Sequence, residues 1–204
     1  MRSSTYPADG RFVCLAIAKM ELYLVAFLLP PVVSEQVWAL KQQVHQLTGS
    51  RNAVRLPPHI TLMPPLRRPP EFGEALARML ATYAAGNRAC LVQLRDFAWF
   101  QQRTLYVHVQ QTPGLLALHQ QFYQLCAQEL PAVPQPARRF VPHVTLATRD
   151  IPPHQVPALQ ELFAHRRFAA DMELHELVLF RHTGQQWLAE VLFQLAPAST
   201  DYPV

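Results

Sequence analysis

A chain of 204 residues is long enough for one large domain or two small lobes built around a substantial core. Half of the residues are hydrophobic and 16% are charged, which argues against an intrinsically disordered segment and against a membrane bundle. The formal charge of +4 is a modest bias toward a phosphate-bearing partner, while six glycines without a Gly-x-Gly or Walker-type run count against dinucleotide enzymes and P-loop NTPases.

Residues 1–19 read as a flexible N-terminal tail. The apolar stretch that starts at Phe12 is interrupted by Lys19 and Glu21 and closed by Pro30 and Pro31, so it is not a membrane span. The apolar part ahead of Ala16-Ile17-Ala18 is also too short for the usual signal peptide. The folded body is expected to begin at Met20, directly before a buried-strand pattern at 22–29. Ser34 reads as a helix N-cap, with Val37, Leu40, Val44 and Leu47 at helical spacing until Gly49 ends the pattern. A short β-branched run at 59–62 follows, then a second helical pattern from Glu71 to Tyr83, then a strand at 91–97.

The second half repeats that order. A strand at 104–109 leads to a helix after Pro113 carrying Leu116, Leu118, Phe122 and Leu125, and then to a second β-branched run at 141–146. A helix over 153–163 and strands at 172–180 and 187–195, turning at Gly184, complete the pattern. The match extends to residues. Arg55-x-x-Pro58-His59-Ile60-Thr61-Leu62 aligns with Arg139-x-x-Pro142-His143-Val144-Thr145-Leu146 at one offset of 84, which also carries Leu24 onto His108. An internal duplication explains this and predicts two similar lobes related by a rough twofold axis. No low-complexity linker separates them, so residues 20–195 are expected to form a single bilobal domain with halves near 20–100 and 101–195, followed by a C-terminal tail at 196–204. Cys14, Cys90 and Cys126 are odd in number and unpaired in spacing, which speaks against a disulfide framework or zinc knuckle and for a reducing cytoplasm.

On a strand, His59 and Thr61 share one face while Ile60 and Leu62 point into the core, and His143 and Thr145 do the same in the second half. A twofold axis can bring these faces together, so that two imidazoles flank one substrate. One neutral ring can then take a proton from an attacking hydroxyl while the opposite imidazolium protonates a leaving oxygen, and the threonine hydroxyls can donate to phosphoryl oxygens. Asp150 is the only acidic residue near either motif and His-x-Thr is not a metal-ligand pair, so neither a metal nor a cofactor is expected.

Pro58-His59-Ile60-Thr61-Leu62 and Pro142-His143-Val144-Thr145-Leu146 resemble the paired His-x-Thr signature of the two-histidine (2H) phosphoesterase superfamily, nearest its 2'-5' RNA ligase and cyclic phosphodiesterase branch. The resemblance spans about residues 20 to 195. It implies a bilobal α+β fold, with two mainly antiparallel sheets around a central groove and helices outside. It also implies metal-independent conversion of 2',3'-cyclic phosphates of nucleotides or RNA ends to 2'-phosphates, with possible reversal as a 2'-5' ligation. By that resemblance His59 is the proton donor to the leaving 3' oxygen, His143 the base acting on water, and Thr61 and Thr145 the phosphate ligands.

Further substrate-binding candidates are Arg138 and Arg139 before the second motif, Arg149 after it, and Tyr106 and Phe180 as bases' stacking partners. The expected partner is a nucleotide or RNA end bearing a cyclic phosphate, handled by a monomer away from any membrane. Alternatives are a non-RNA cyclic phosphate as substrate, or a catalytically silent module that binds RNA ends.

Overall fold

The computed structural model describes residues 20–198. The tail expected at 1–19 lies outside the described residues, as do 199–204 of the expected C-terminal tail. The first half runs β1 (Glu21–Leu28), α1 (Pro31–Thr48), a 3-10 turn (Arg51–Val54), β2 (His59–Arg68), α2 (Pro70–Gly86) and β3 (Cys90–Phe100). The second runs β4 (Thr104–Val109), α3 (Pro113–Glu129), β5 (His143–Thr148), α4 (Val156–Ala164), β6 (Ala169–Leu174), β7 (Glu176–His182) and β8 (Trp187–Gln194).

Local chemistry accounts for most boundaries. α1 begins at Pro31 rather than after Ser34, because a proline in the first turn gives up an N–H that has no helical partner anyway; the Ser34 amide already donates to the Pro30 carbonyl at 2.8 Å. Gly49 ends α1 in the left-handed conformation, at φ 71°. The buried face of α1 is Val33, Val37, Lys41, Val44 and Thr48, whereas Leu47 is 50% exposed. β2 runs on through Pro64 and Pro65, where a loop is the simpler reading of the sequence. It is an edge strand, and the two prolines fall in a register shift against β1, so their missing N–H groups break no ladder bond.

Two four-stranded antiparallel sheets result, ordered β2-β1-β7-β8 and β5-β4-β3-β6. The fold is α+β with pseudo-twofold symmetry, but the sheets do not divide the chain at residue 100. β3 leaves the first half to pair with β4, and β7 returns from the second half to pair with β1. Each repeat thus lends a strand to the other's sheet, covering an edge that β1 or β4 would otherwise expose. The single strand expected at 172–180 breaks at His175 for the same reason: β6 finishes one sheet and β7 starts in the other. The body also continues past 195, since Ala196 exchanges backbone bonds with Asn87 and Ala89 at 3.1 and 2.7 Å.

Register corrects the internal alignment. Leu28 lies opposite His59 and Ala26 opposite Thr61, while His108 lies opposite His143 and Tyr106 opposite Thr145. The counterpart of His108 is therefore Leu28, not Leu24. The second repeat has a longer segment between its first strand and its motif, and this includes the proline-rich loop at 130–142. The same logic pairs Phe100 with Phe180, because Ala98 faces Tyr106 as Val178 faces Ala26.

One continuous core joins both sheets and the helices, and Ile60, Leu62, Val144 and Leu146 are buried in it as strand alternation requires. A smaller cluster of Leu24, Ala26, Val178 and Phe180 lies on the other face of the first sheet, behind the first motif.

Candidate active site

β2 and β5 are the outer strands of their sheets and contact one another, so the symmetry brings the two motifs to one seam. His59 and Thr61, like His143 and Thr145, are half-buried while their alternating neighbours are sealed in the core. The imidazoles are held alike: Nδ1 of His59 donates to the Pro57 carbonyl at 2.7 Å and Nδ1 of His143 to the Val141 carbonyl at 2.8 Å. A carbonyl can only accept, so in each neutral ring the proton sits on Nδ1 and Nε2 carries the lone pair. Each ring therefore keeps Nε2 for proton exchange.

Both rings resist protonation. Burial pushes His59 down to about 4, with smaller contributions from the charges of Lys41 and His143 and an opposing one from the Pro57 carbonyl. Burial also lowers His143, again opposed by its carbonyl partner. The charge of His143 adds slightly to the lowering at His59, in keeping with the contact between β2 and β5.

A groove of about 740 Å³ opens from this seam, bounded by β2 on one side and the 130–142 loop on the other. Thr61, His143, Phe100, Arg138 and Arg139 all line it. Among the sequence candidates, the two arginines are thus brought to the groove, with Arg139 donating to Gln111 Oε1 at 3.2 Å. Arg149 is exposed at the end of β5 with φ 60° and does not line the groove, because the chain turns away there. Asp150, beside it, is a tether between halves. Burial would raise its carboxyl, but donors from Ser50 at 2.6 Å and the Asn52 amide at 3.0 Å hold it below its usual range.

The two aromatic candidates sit behind the histidines instead of presenting open faces. Phe180 is 3% exposed with its ring 6.2 Å from His59; Tyr106 is 7% exposed and 5.3 Å from His143. Their burial redirects the stacking expected for them toward the imidazoles.

The profile of the 2'-5' RNA ligase superfamily matches residues 30–186. The chain belongs to this superfamily, a group of 2H phosphoesterases. No curated protein sequence matches it. Among solved structures it is similar to TT0787 of Thermus thermophilus, at 20% identity and TM-score 0.64, over 88% of this chain and 100% of that one. It is also similar to E. coli LigT complexed with 3'-AMP, at 19% identity and TM-score 0.62, over 87% and 99% of the respective chains. At these identities the likeness is one of fold.

Three side chains of this superfamily member escape a reading by motif. Phe100 packs edge-on to His143 at 4.9 Å and stacks on Tyr106 at 4.2 Å; a repeat alignment in correct strand register would have found it as the mate of Phe180. His119 stacks on Phe140 at 4.0 Å in the groove wall. Lys41 is 2% exposed beneath the seam, on a helical face whose other members are mostly apolar. Among the described residues, no helix is long and apolar enough to cross a membrane.

Proposed function

We propose that this 2H phosphoesterase opens 2',3'-cyclic phosphates of nucleotides or short RNA ends to 2'-phosphates, using His59 and His143 as an acid–base pair. Water attacks phosphorus, one imidazole takes its proton at Nε2, the P–O3' bond breaks, and the other imidazole delivers a proton to the departing 3' oxygen. Thr61 and Thr145 donate to the non-bridging oxygens as negative charge collects on them. An RNA 5'-hydroxyl in place of water makes the same step a 2'-5' ligation, and neither direction consumes ATP or needs a metal.

The observation that carries this reading is the matched tethering of the two rings, Nδ1 to a carbonyl two residues back, on neighbouring edge strands. Duplication can copy the tether, and what supports chemistry is that both copies lie on edge strands that meet, each with its Nε2 left over from the tether. LigT's complex with 3'-AMP supports a nucleotide phosphate as the ligand class. The groove's volume of about 740 Å³ and its prolines and aromatics favour a mononucleotide or a short end over a long RNA track.

The family resemblance makes His59 the donor. Burial and Lys41 oppose its protonation in the free protein, whereas the charge of a bound phosphate raises the proton affinity of both rings. The deciding assay uses 2',3'-cyclic nucleotides and cyclic-phosphate-ended RNA in EDTA, with product identification. The reading requires turnover to a 2'-phosphate that is lost in both His59→Ala and His143→Ala; wild-type rates in both variants overturn it. A substrate with a good leaving group, such as a 4-nitrophenyl phosphodiester, restores rate only to the variant lacking the donor.

A further inference from the structure

Lys41 is one of two lysines in the chain, beside sixteen arginines. Its side chain leaves solvent entirely for the interior of α1's packing against β5, where Nζ donates to the Thr145 carbonyl at 3.4 Å and lies 5.9 Å from the Trp38 ring centroid. Among the described residues no carboxylate pairs with it. A buried ammonium without a counter-ion is costly, and such groups are normally paired.

Capping a strand edge does not explain the charge. The symmetry-related helix solves the same problem with a neutral group: Tyr123, like Lys41 ten residues beyond the proline that opens its helix, donates its hydroxyl to the Leu62 carbonyl of β2, also at 3.4 Å. Both helices therefore cap the edge strand of the other repeat beside the His-x-Thr motif, one with a hydroxyl and one with a cation. The cation's hydrogen-bond partner is the backbone of the motif threonine Thr145, and its charge reaches His59, whose proton affinity it lowers.

We propose that the missing counter-ion of Lys41 is the substrate's phosphoryl group, and that Lys41 is a positioning residue whose buried charge attracts that group to the seam between His59 and His143. The inference rests on the phosphoryl-site reading above. Its physical content is that the free site carries uncompensated positive charge, so an anion gains affinity there that an equally shaped neutral ligand does not. Burial lowers Lys41 to about 8, and a phosphate nearby must raise it. The titratable group that feels the charge of Lys41 is His59 of β2.

Calorimetric binding of adenosine 2'-monophosphate, with adenosine as the control lacking phosphate, tests this in Lys41→Met, Lys41→Gln and Lys41→Arg. The Met and Gln variants are expected to bind the nucleotide about 10- to 100-fold more weakly, the scale of one buried charge acting on an anion through a protein interior. Adenosine binding is expected to stay unchanged, and Arg to recover most of the loss. A purely structural cap costs melting temperature and leaves the nucleotide-to-adenosine ratio alone, so folded Met or Gln variants with a wild-type ratio overturn the proposal. NMR of isotope-labelled lysine in the wild-type protein decides the matter even if those variants fail to fold. The Lys41 titration must move to higher pH with adenosine 2'-monophosphate and not with adenosine, and an unmoved titration overturns the proposal. Normal Lys41 variants alongside dead His59→Ala and His143→Ala variants defeat this inference alone; a wild-type protein that binds no nucleotide defeats it together with the phosphoryl-site reading.

Discussion

His59 sits opposite Leu28 and against Phe180, within reach of the charge of Lys41; His143 sits opposite His108 and against Phe100 and Tyr106, at the mouth of the groove. The backbone is the same in both places, down to the carbonyl that holds each Nδ1. What differs is the surrounding shell, which is apolar and closed around the first histidine and more polar and open around the second. Duplication explains the shared geometry, and divergence of the shell gives two like rings unlike proton affinities. The proposed acid–base exchange needs one ring charged and one neutral at the moment of reaction, and the charge of a bound phosphate favours the protonation that burial opposes at His59.

Breaking either ring is expected to have the largest effect. His59→Ala and His143→Ala should each lower kcat/KM on a 2',3'-cyclic nucleotide by about 10²- to 10⁴-fold, measured in steady-state assays. Next comes the shell itself. Phe180→Ala empties a fully packed position and should cost about 3–5 kcal/mol in denaturant unfolding, whereas Phe100→Ala, at a half-buried position, should cost less than half as much. The Phe100 variant should also let water reach His143 and raise its NMR titration toward the ordinary imidazole value, leaving His59 unmoved.

Thr61→Val and Thr145→Val should each reduce kcat by about 10- to 100-fold with little change in melting temperature. Unequal losses in this pair would show which lobe faces the developing charge. The pH dependence sharpens the contrast further. Free-enzyme kcat/KM should trace a bell whose two limbs both lie below the ordinary imidazole value, because burial depresses both histidines, His59 to about 4. Stability follows the same sign. A histidine whose folded proton affinity is depressed binds fewer protons folded than unfolded, so the melting temperature should fall as pH drops from 6.5 toward 4, less steeply in His59→Ala. The smallest effect concerns the turn between the repeats: Gln101 and Gln102 both carry positive φ, 47° and 56°, so Gln102→Gly should gain about 0.5–1 kcal/mol.

Much of the site was legible in the residues. Two His-x-Thr runs in matching contexts, with core residues between the polar ones, state both the duplication and which side chains share a face. The strand alternation that buries Ile60, Leu62, Val144 and Leu146 follows from period two alone. The exchange of β3 and β7 was not legible, because an apolar strand is satisfied by any antiparallel partner and periodicity carries no address. The single offset of 84 hid it further. It aligns the motifs but not the strands before them, and so separated Phe100 from its mate Phe180.

Lys41 marks the limit most clearly. Its helical spacing with Val33, Val37 and Val44 assigns it to the buried face, yet its charge assigns it to solvent, and composition resolves such a conflict toward Leu40 and Leu47. The chain's own pattern determined the elements, their repetition and the two polar faces, because these depend on neighbours within a few residues. Only the tertiary structure decided which strands pair, which aromatic backs which imidazole, and that a lone ammonium is enclosed beside them, because each of these depends on groups that the fold brings together from distant parts of the chain.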